Sequence, residues 1–326
     1  MKLRNVILGI VCGAGLFLAP ISVFAALDLI SISTDPVTPG PNQPVTVSIE
    51  SYVMNLNSSK ITWYVNKEAM KEGIGEKKFQ TATKGAGEPV TVDIVILTED
   101  GIRYNKQIVL TPIEVDVLWE ANTYVPPFYK GKALPTYKSI VKVSAIPRFN
   151  SLTSNPKDYY YKWTVNRTQG GGEGLGKSSI PIGMGWPNAN VPITVTVSTQ
   201  DGKARGSTMQ YIPTTDPKII FYEQAPLLGI RFDHALGGEV SAEGNEFRLR
   251  AVPYYFSLDN YLNGDLVYSW RKDSARISPE YNPNTLIIQK NGREAQASSI
   301  NLTVQNAKRI LQQADSAAFV SFKEER

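Results

Sequence analysis

Ile61-Thr-Trp63-Tyr-Val-Asn66 is a hexapeptide that this 326-residue chain uses three times. It returns as Tyr161-Lys-Trp163-Thr-Val-Asn166 and, more weakly, as Tyr268-Ser-Trp270-Arg-Lys-Asp273, so the tryptophans are 100 and then 107 residues apart. A second set of similar segments, 97–101, 198–202 and 303–307, follows at offsets of 101 and 105. An ordered series at nearly constant spacing indicates three copies of one structural unit.

Each copy also has the pattern of β-strands. Every second residue is apolar across 45–49, before the first tryptophan, and across 92–96, after it, and the other copies repeat this alternation. Alternation of period two places one side of each strand on a core. The Asp-Gly pairs at 100–101 and 201–202 predict hairpins with positive φ at both turn residues. The sequence therefore predicts an all-β fold of three tandem sandwiches.

Prolines at the ends of the copies indicate where the domains meet. Pro112 and Pro213 are 101 residues apart, and proline cannot donate a hydrogen bond within a central strand. We predict domains over 27–112, 113–214 and 215–326. Good helix formers at 307–317 take the place of the tight turn in the third copy, so we predict a short helix there, before a last strand at 318–322.

The three repeated tryptophans, Trp63, Trp163 and Trp270, are predicted to be structural core residues, one in each sandwich. A buried indole removes ~150–250 Å² from water. At about 25 cal/mol per Å² this is roughly 4–6 kcal/mol of gross hydrophobic free energy per domain. The chain has a single cysteine, Cys12, so this burial would replace the stabilisation that a disulfide gives to other small exported domains.

The first 25 residues have the layout of a secretory signal peptide. Lys2 and Arg4 precede an apolar run, 6–26, which is broken by Pro20 and ends in small residues around Ala25. We predict cleavage after Ala25 and therefore a secreted or envelope protein of a bacterium. The alternative is an uncleaved segment that tethers the protein, since ~20 apolar residues can span a bilayer. Membrane contact is otherwise not expected.

Composition excludes several kinds of chemistry. Lys and Arg number 34 against 30 Asp and Glu, a surplus too small to predict nucleic-acid binding. With one cysteine and one histidine, His234, the chain cannot build a His/Cys zinc site or a two-histidine metal cage. His234 has no histidine counterpart in the second copy and is interpreted as a solvated or hydrogen-bonded loop residue. We predict no catalytic residue, no cofactor and no resident metal.

Two strings resemble ligand-binding motifs and are interpreted as parts of the fold. Residues 171–178 satisfy the phosphate-loop pattern, but Pro181 prevents the long helix that the motif requires. Residues 259–265 resemble a calcium loop, yet Tyr261 and Trp270 occupy positions that need oxygen ligands. A looser calcium site at a domain tip stays open as an alternative.

The best candidate for contact with a partner is the entry segment of the second domain. Two prolines stiffen this segment, and aromatic side chains on a pre-ordered loop suit recognition at low entropic cost. The candidate residues are Pro126, Pro127, Phe128 and Tyr129. The alternative is that the segment packs across the seam between the first and second domains. Tyr160 is a further candidate, because alternation buries Tyr159 and Tyr161 and leaves Tyr160 outside.

A mid-domain tryptophan followed by Asn66, Asn166 or Asp273, on cysteine-free repeating sandwiches, resembles bacterial immunoglobulin-like and PKD-type domains. The resemblance implies extracellular spacers, adhesins, accessory modules and carbohydrate binding. We predict a non-enzymatic exported protein of the cell surface or envelope that acts in adhesion, binding or spacing, with an unknown protein or polysaccharide as its partner. Two alternatives stay open: an extracellular carbohydrate-active enzyme or carbohydrate-binding accessory module, and a subunit of an envelope assembly such as a pilus or secretion apparatus.

Overall fold

The computed structural model describes residues 29–149, 155–167, 170–292 and 294–323. The predicted signal peptide, residues 1–25, lies outside the described residues. Buried apolar side chains form three large and separate clusters, drawn from 30–110, 113–212 and 219–322. Each cluster lies between two β-sheets, which confirms the predicted all-β class. The exact limits of the domains stay a prediction.

The first sandwich has seven strands. They are β1 (Ser31–Asp35), β2 (Pro44–Glu50), β3 (Lys60–Val65), β4 (Glu68–Ile74), β5 (Lys78–Ala82), β6 (Val90–Leu97) and β7 (Arg103–Pro112). One sheet has the order β1-β2-β5, and the facing sheet contains β7-β6-β3-β4. Along β2 and β6 every second side chain is buried, as alternation predicts. Two facing antiparallel sheets of this order make an immunoglobulin-like sandwich.

The second sandwich has the same seven-strand arrangement as the first sandwich. Its strands are β8 (Glu114–Ala121), β9 (Ile140–Arg148), β10 (Tyr159–Val165), β11 (Glu173–Leu175), β12 (Ser179–Gly183), β13 (Asn190–Thr199) and β14 (Ala204–Pro213). The orders β8-β9-β12 and β14-β13-β10-β11 correspond position by position to those of the first sandwich. The repetition seen in sequence is therefore a repetition of topology.

The third sandwich adds two strands to the same plan. Its elements are β15 (Lys218–Ala225), β16 (Gly229–Ala235), β17 (Glu239–Ala242), β18 (Glu246–Tyr254), α1 (Leu258–Leu262), β19 (Leu266–Lys272), β20 (Ala275–Ile277), β21 (Thr285–Gln289), β22 (Gln296–Asn306) and β23 (Gln313–Phe322). The sheets have the orders β16-β15-β18-β21 and β17-β23-β22-β19-β20. The added strand β16 folds back on β15, and β17 pairs in parallel with β23.

The repeated tryptophans stand on the equivalent strands β3, β10 and β19. Trp63, Trp163 and Trp270 are 0%, 1% and 0% exposed. Each indole N–H donates to a backbone carbonyl 13 or 14 residues further on, at 2.8 Å in all three copies. The acceptors are the carbonyls of Glu76, Lys177 and Pro283. Because each acceptor lies in the connection between the two sheets, the indole both fills the core and fixes that crossing.

The Asp-Gly hairpins occur where the sequence predicts them, but their turns are of another type. Only the glycines have positive φ, 81° at Gly101 and 69° at Gly202. Pairs of adjacent residues with positive φ instead follow all three tryptophan strands, at 66–67, 166–167 and 273–274. Two-residue loops there join β3 to β4 and β19 to β20, and such loops need this conformation to match the strand twist. Asn66 and Asp273 tolerate it better than most residues do.

The short helix lies at 258–262 and not at 307–317. Residues 307–311 form turns, and β23 begins at Gln313 instead of residue 318. The β22–β23 ladder runs without a break from Gln305↔Gln313 to Gln296↔Phe322, so strand pairing overrides the weaker helix propensity. The Asn306 side chain closes the turn by accepting from the Lys308 and Arg309 N–H groups. In the described part of the chain no helix has the length and apolar character to span a bilayer.

The first and second sandwiches share a continuous sheet. Strands β7 and β14 pair in parallel at Thr111↔Ala204 and Pro112↔Arg205, which gives one sheet of eight strands. Only Ile113 separates β7 from β8, and its N–H donates to the Arg205 carbonyl at 2.8 Å. A Cβ added to Gly206 would come within 2.0 Å of the Ile113 carbonyl oxygen. Glycine is therefore required for this close approach of two backbones.

Candidate functional site

The predicted contact segment lies at the seam between the second and third sandwiches. Residues 122–139, the connection between β8 and β9, form what we call the docking segment. The Tyr124 N–H donates to the Phe256 carbonyl at 2.7 Å, and the Tyr255 N–H donates to the Tyr124 carbonyl at 2.8 Å. Thr123 and Ser257 form an antiparallel bridge, and on its other side the Leu258 N–H donates to the Asn122 carbonyl at 3.2 Å. The alternative of packing between the first and second domains is therefore wrong.

Tyrosines cover the inner side of this seam. The Tyr129 hydroxyl lies 2.7 Å from that of Tyr255, and the Tyr129 ring meets Tyr254 edge-on at 5.4 Å between centroids. The Tyr254 hydroxyl in turn lies 2.6 Å from that of Tyr222. Burial raises the pKa of Tyr254 and of Tyr255, and their hydroxyl partners add to the increase. These phenols are therefore neutral hydrogen-bonding groups at physiological pH.

Phe128 is the exposed apex of the docking segment. Its side chain is 93% exposed, and its backbone has a φ of 64°. Pro126 is buried and Pro127 is exposed, and the Tyr129 N–H donates back to the Pro126 carbonyl at 3.3 Å. Positive φ is uncommon for a bulky residue and persists only where its surroundings impose it. The fold thus presents an apolar ring to solvent on a backbone held from both sides.

A buried polar network fixes the far end of the docking segment. The Thr136 hydroxyl donates to the Tyr255 carbonyl at 2.9 Å, and the Gln312 amide donates to the Tyr137 carbonyl. The same amide donates to the Ser257 hydroxyl at 2.7 Å. Thr136, Ser257 and Gln312 are each 0% exposed. Removing one member would leave buried polar atoms unpaired, which makes such networks strong determinants of one geometry.

The calcium-like string belongs to this same region, and its carboxylates already have partners. Asp259 receives two hydrogen bonds from the Arg309 guanidinium, at 3.1 and 3.3 Å. Asp265 accepts from the Asn260 amide at 2.8 Å. Among the residues that the structure describes, no group of three His, Cys, Asp or Glu side chains is arranged to hold a metal ion. These contacts serve the fold of the third sandwich.

A pair of aromatic side chains that the sequence reasoning missed lies on the outside of the junction. Trp186, in the connection between β12 and β13, is 73% exposed. Its ring centroid is 6.4 Å from that of Tyr137 in the docking segment, with 35° between the ring planes. Lys138 Nζ lies 5.4 Å from the Tyr137 centroid. The sequence did offer one signal for Trp186, because this tryptophan falls outside the repeated tryptophan positions.

Tyr160 lies elsewhere, near the end of the second sandwich that faces the first. Tyr159 and Tyr161 are buried, while Tyr160 is 38% exposed. It pairs with Leu175 and borders a depression of about 590 Å³ that also includes Arg205. Burial, followed by the charge of Glu173, raises the pKa of Tyr160. The structure therefore does not bring Tyr160 together with the docking segment.

The structure also places His234 and residues 171–178, which satisfy the phosphate-loop pattern. His234 is exposed on the edge strand β16, so it is a strand residue and not a loop residue. In the phosphate-loop string, the Gly176 N–H donates to the Tyr159 carbonyl at 2.9 Å. Gly75 makes the same bond to the Ser59 carbonyl at 3.0 Å in the first sandwich. The glycines thus serve the crossing between sheets in both copies.

No protein-family model and no curated protein sequence matches the chain. Solved structures of similar architecture include the fibronectin(III)-like modules of Clostridium thermocellum CbhA, at 12% identity over 57% of this chain and 93% of theirs, with a TM-score of 0.30. Three N-terminal domains of the bacteriophage RB49 outer capsid protein Hoc match at 12% identity over 91% and 98%, with a TM-score of 0.25. The central fibronectin-III array of RIM-binding protein matches at 13% identity over 87% and 93%, with a TM-score of 0.30. At these values the similarities carry no argument about function.

Proposed function

We propose that this chain is an exported, non-enzymatic protein of a bacterial cell surface or envelope, in which three immunoglobulin-like or PKD-type sandwiches act as a stiff spacer that presents a binding surface. The observation that carries the proposal is Phe128, whose side chain is 93% exposed and belongs to a docking segment that is bonded through Tyr124 to the third sandwich. Pre-ordered aromatic side chains are typical centres of protein recognition, because little conformational entropy is lost on binding.

The two junctions support the spacer part of the proposal. A parallel strand pair connects the first sandwich to the second, and a backbone bridge with a buried polar network connects the second to the third. Fixed junctions hold a contact surface at a set distance from the first sandwich. The layout of residues 1–25, with its basic start and apolar run, supports export.

Replacement of Phe128 tests whether this side chain contacts a partner. We expect Phe128→Ala to remove a stoichiometric partner that co-purifies with the wild-type protein from intact envelopes. Tyr52→Ala is the matched control, since Tyr52 is 98% exposed but lies in the first sandwich, outside the junction. If both variants retain the same partners as the wild-type protein, Phe128 is not the contact.

Mass spectrometry of the exported chain is expected to give an N-terminus at Ala26, and an intact Met1 would contradict release from the membrane.

A further inference from the structure

We propose that Trp186 and Tyr137 form a binding platform for a neutral polysaccharide, with the aromatic rings stacked on sugar rings. The inference rests on the proposed function only in that an exported protein meets polysaccharides. It concerns a different surface from Phe128, and its chemistry comes from side chains that the tandem fold does not use.

The exposure of Trp186 is the first argument. The repeated tryptophans are at most 1% exposed, and Lys132 Nζ covers the half-buried ring of Trp119 at 3.2 Å from its centroid. Trp186 alone of the five tryptophans leaves most of its ring in water, at 73% exposure. An indole in solvent contributes little to the core, and its apolar face stays free to stack on a ligand.

The second argument is that both residues have fixed backbones. The buried Thr214 hydroxyl lies 3.2 Å from the Trp186 carbonyl oxygen, and it accepts from the Ala189 N–H at 2.7 Å. The Tyr137 carbonyl accepts from Gln312 of the third sandwich. The platform lies within the second sandwich, where the Lys138 N–H donates to the Met184 carbonyl at 2.9 Å, so its rings are held near each other before any ligand arrives. Such preorganisation lowers the entropic cost of binding.

The third argument is chemical. The negative faces of the two rings attract the weakly positive C–H groups of a pyranose ring. Asn188, exposed beside Trp186 with a φ of 52°, offers an amide that both donates to and accepts from hydroxyl groups. Lys138 is the nearby cation, and it lies against the Tyr137 ring. Along its loop Trp186 is flanked by Gly185 and Pro187, so no large apolar side chain adjoins it in sequence to extend a protein-type interface.

Affinity electrophoresis tests the platform directly. The probes are laminarin, xyloglucan, hydroxyethylcellulose, galactomannan and dextran, each cast in a native gel and run with the full chain. We expect at least one of these neutral polysaccharides to retard the wild-type protein. Trp186→Ala and Tyr137→Ala should each weaken binding at least tenfold, while Trp186→Phe should retain part of the affinity. Tyr281→Ala is the control, because Tyr281 is 84% exposed in the third sandwich and should bind normally.

The outcomes separate this inference from the proposed function. If none of the five polysaccharides binds, or if Trp186→Ala binds as tightly as the wild-type protein, the platform is overturned. Loss of a co-purifying protein in Trp186→Ala, without polysaccharide binding by the wild-type chain, would assign the surface to a protein partner and also overturn it. None of these results bears on the Phe128 contact. Equal thermal unfolding midpoints for the variants and the wild-type chain exclude misfolding as the cause.

Discussion

Each of the three repeated tryptophans has two structural roles in this protein. The indoles of Trp63, Trp163 and Trp270 fill the three cores, and their N–H groups hold the backbone that crosses between sheets. The same residue type at position 186 has neither task and stands in water. Structural and functional tryptophans are thus separated by burial and by the indole N–H bond to a backbone carbonyl that each repeated tryptophan makes.

Replacement of Trp163 tests the structural part. Trp163→Ala should lower the free energy of unfolding by ~3–5 kcal/mol, because it leaves a cavity in the second core. Trp163→Phe should cost less, since a phenyl ring still fills most of the space, although part of the indole volume and the bond to the Lys177 carbonyl are lost. Urea denaturation followed by circular dichroism measures both. Trp186→Ala serves as the control and should change stability by no more than ~0.5 kcal/mol. Equal losses at positions 163 and 186 would contradict the assignment.

The docking segment is the element that distinguishes the second junction from the first. It brings Tyr129 against Tyr254 and Tyr255, whose burial raises their pKa values. An unfolded tyrosine titrates near pH 10, so above about pH 10 the unfolded chain loses protons that the folded junction keeps. The stabilisation is therefore complete below about pH 10 and decreases as the pH rises towards the folded pKa values.

The thermal stability of the chain should therefore decrease at alkaline pH. Between about pH 10 and 11.5 we expect the thermal midpoint to fall, with up to ~1 kcal/mol lost per pH unit for each such tyrosine. Tyr255→Phe should lower the midpoint at pH 8, because the bond to Tyr129 is lost, and should give a shallower decrease above pH 10. Differential scanning calorimetry from pH 8 to 11.5 gives both values. Tyr281→Phe, at an exposed position, is the control, and an unchanged slope in Tyr255→Phe would count against the junction as the cause.

Elements were predictable from sequence where local pattern and tertiary pairing agree. The alternation in 45–49 and 92–96 predicted β2 and β6 because both strands bury one side on the same core. The helix expected at 307–317 failed because pairing of β22 with β23 outweighs a few tenths of a kcal/mol of propensity. For the docking segment, sequence predicted either contact with a partner or packing at the first seam; the segment lies at the second seam, and no local pattern records which seam a loop will meet.

At the scale of the whole molecule, the two junctions are the features that sequence could not predict. Parallel pairing of β7 with β14 depends on Gly206, whose role appears only when the Ile113 carbonyl is placed beside it. Tyr137 and Trp186, 49 residues apart in sequence, likewise meet only in the folded chain, where the Lys138 N–H donates to the Met184 carbonyl at 2.9 Å within the second sandwich. Repeats predicted three similar units, and long-range contacts determine how those units are joined.

Small-angle X-ray scattering of the chain in solution measures whether these junctions are fixed. We expect the wild-type curve to fit a single rigid arrangement of the three sandwiches. The control Gly183→Ala should give the same curve, because a Cβ at Gly183 meets nothing within 4 Å. Gly206→Ala should instead increase the maximum dimension or require several orientations, because its Cβ cannot fit beside the Ile113 carbonyl. A wild-type curve that only a broad ensemble of inter-sandwich orientations can fit would contradict a stiff spacer.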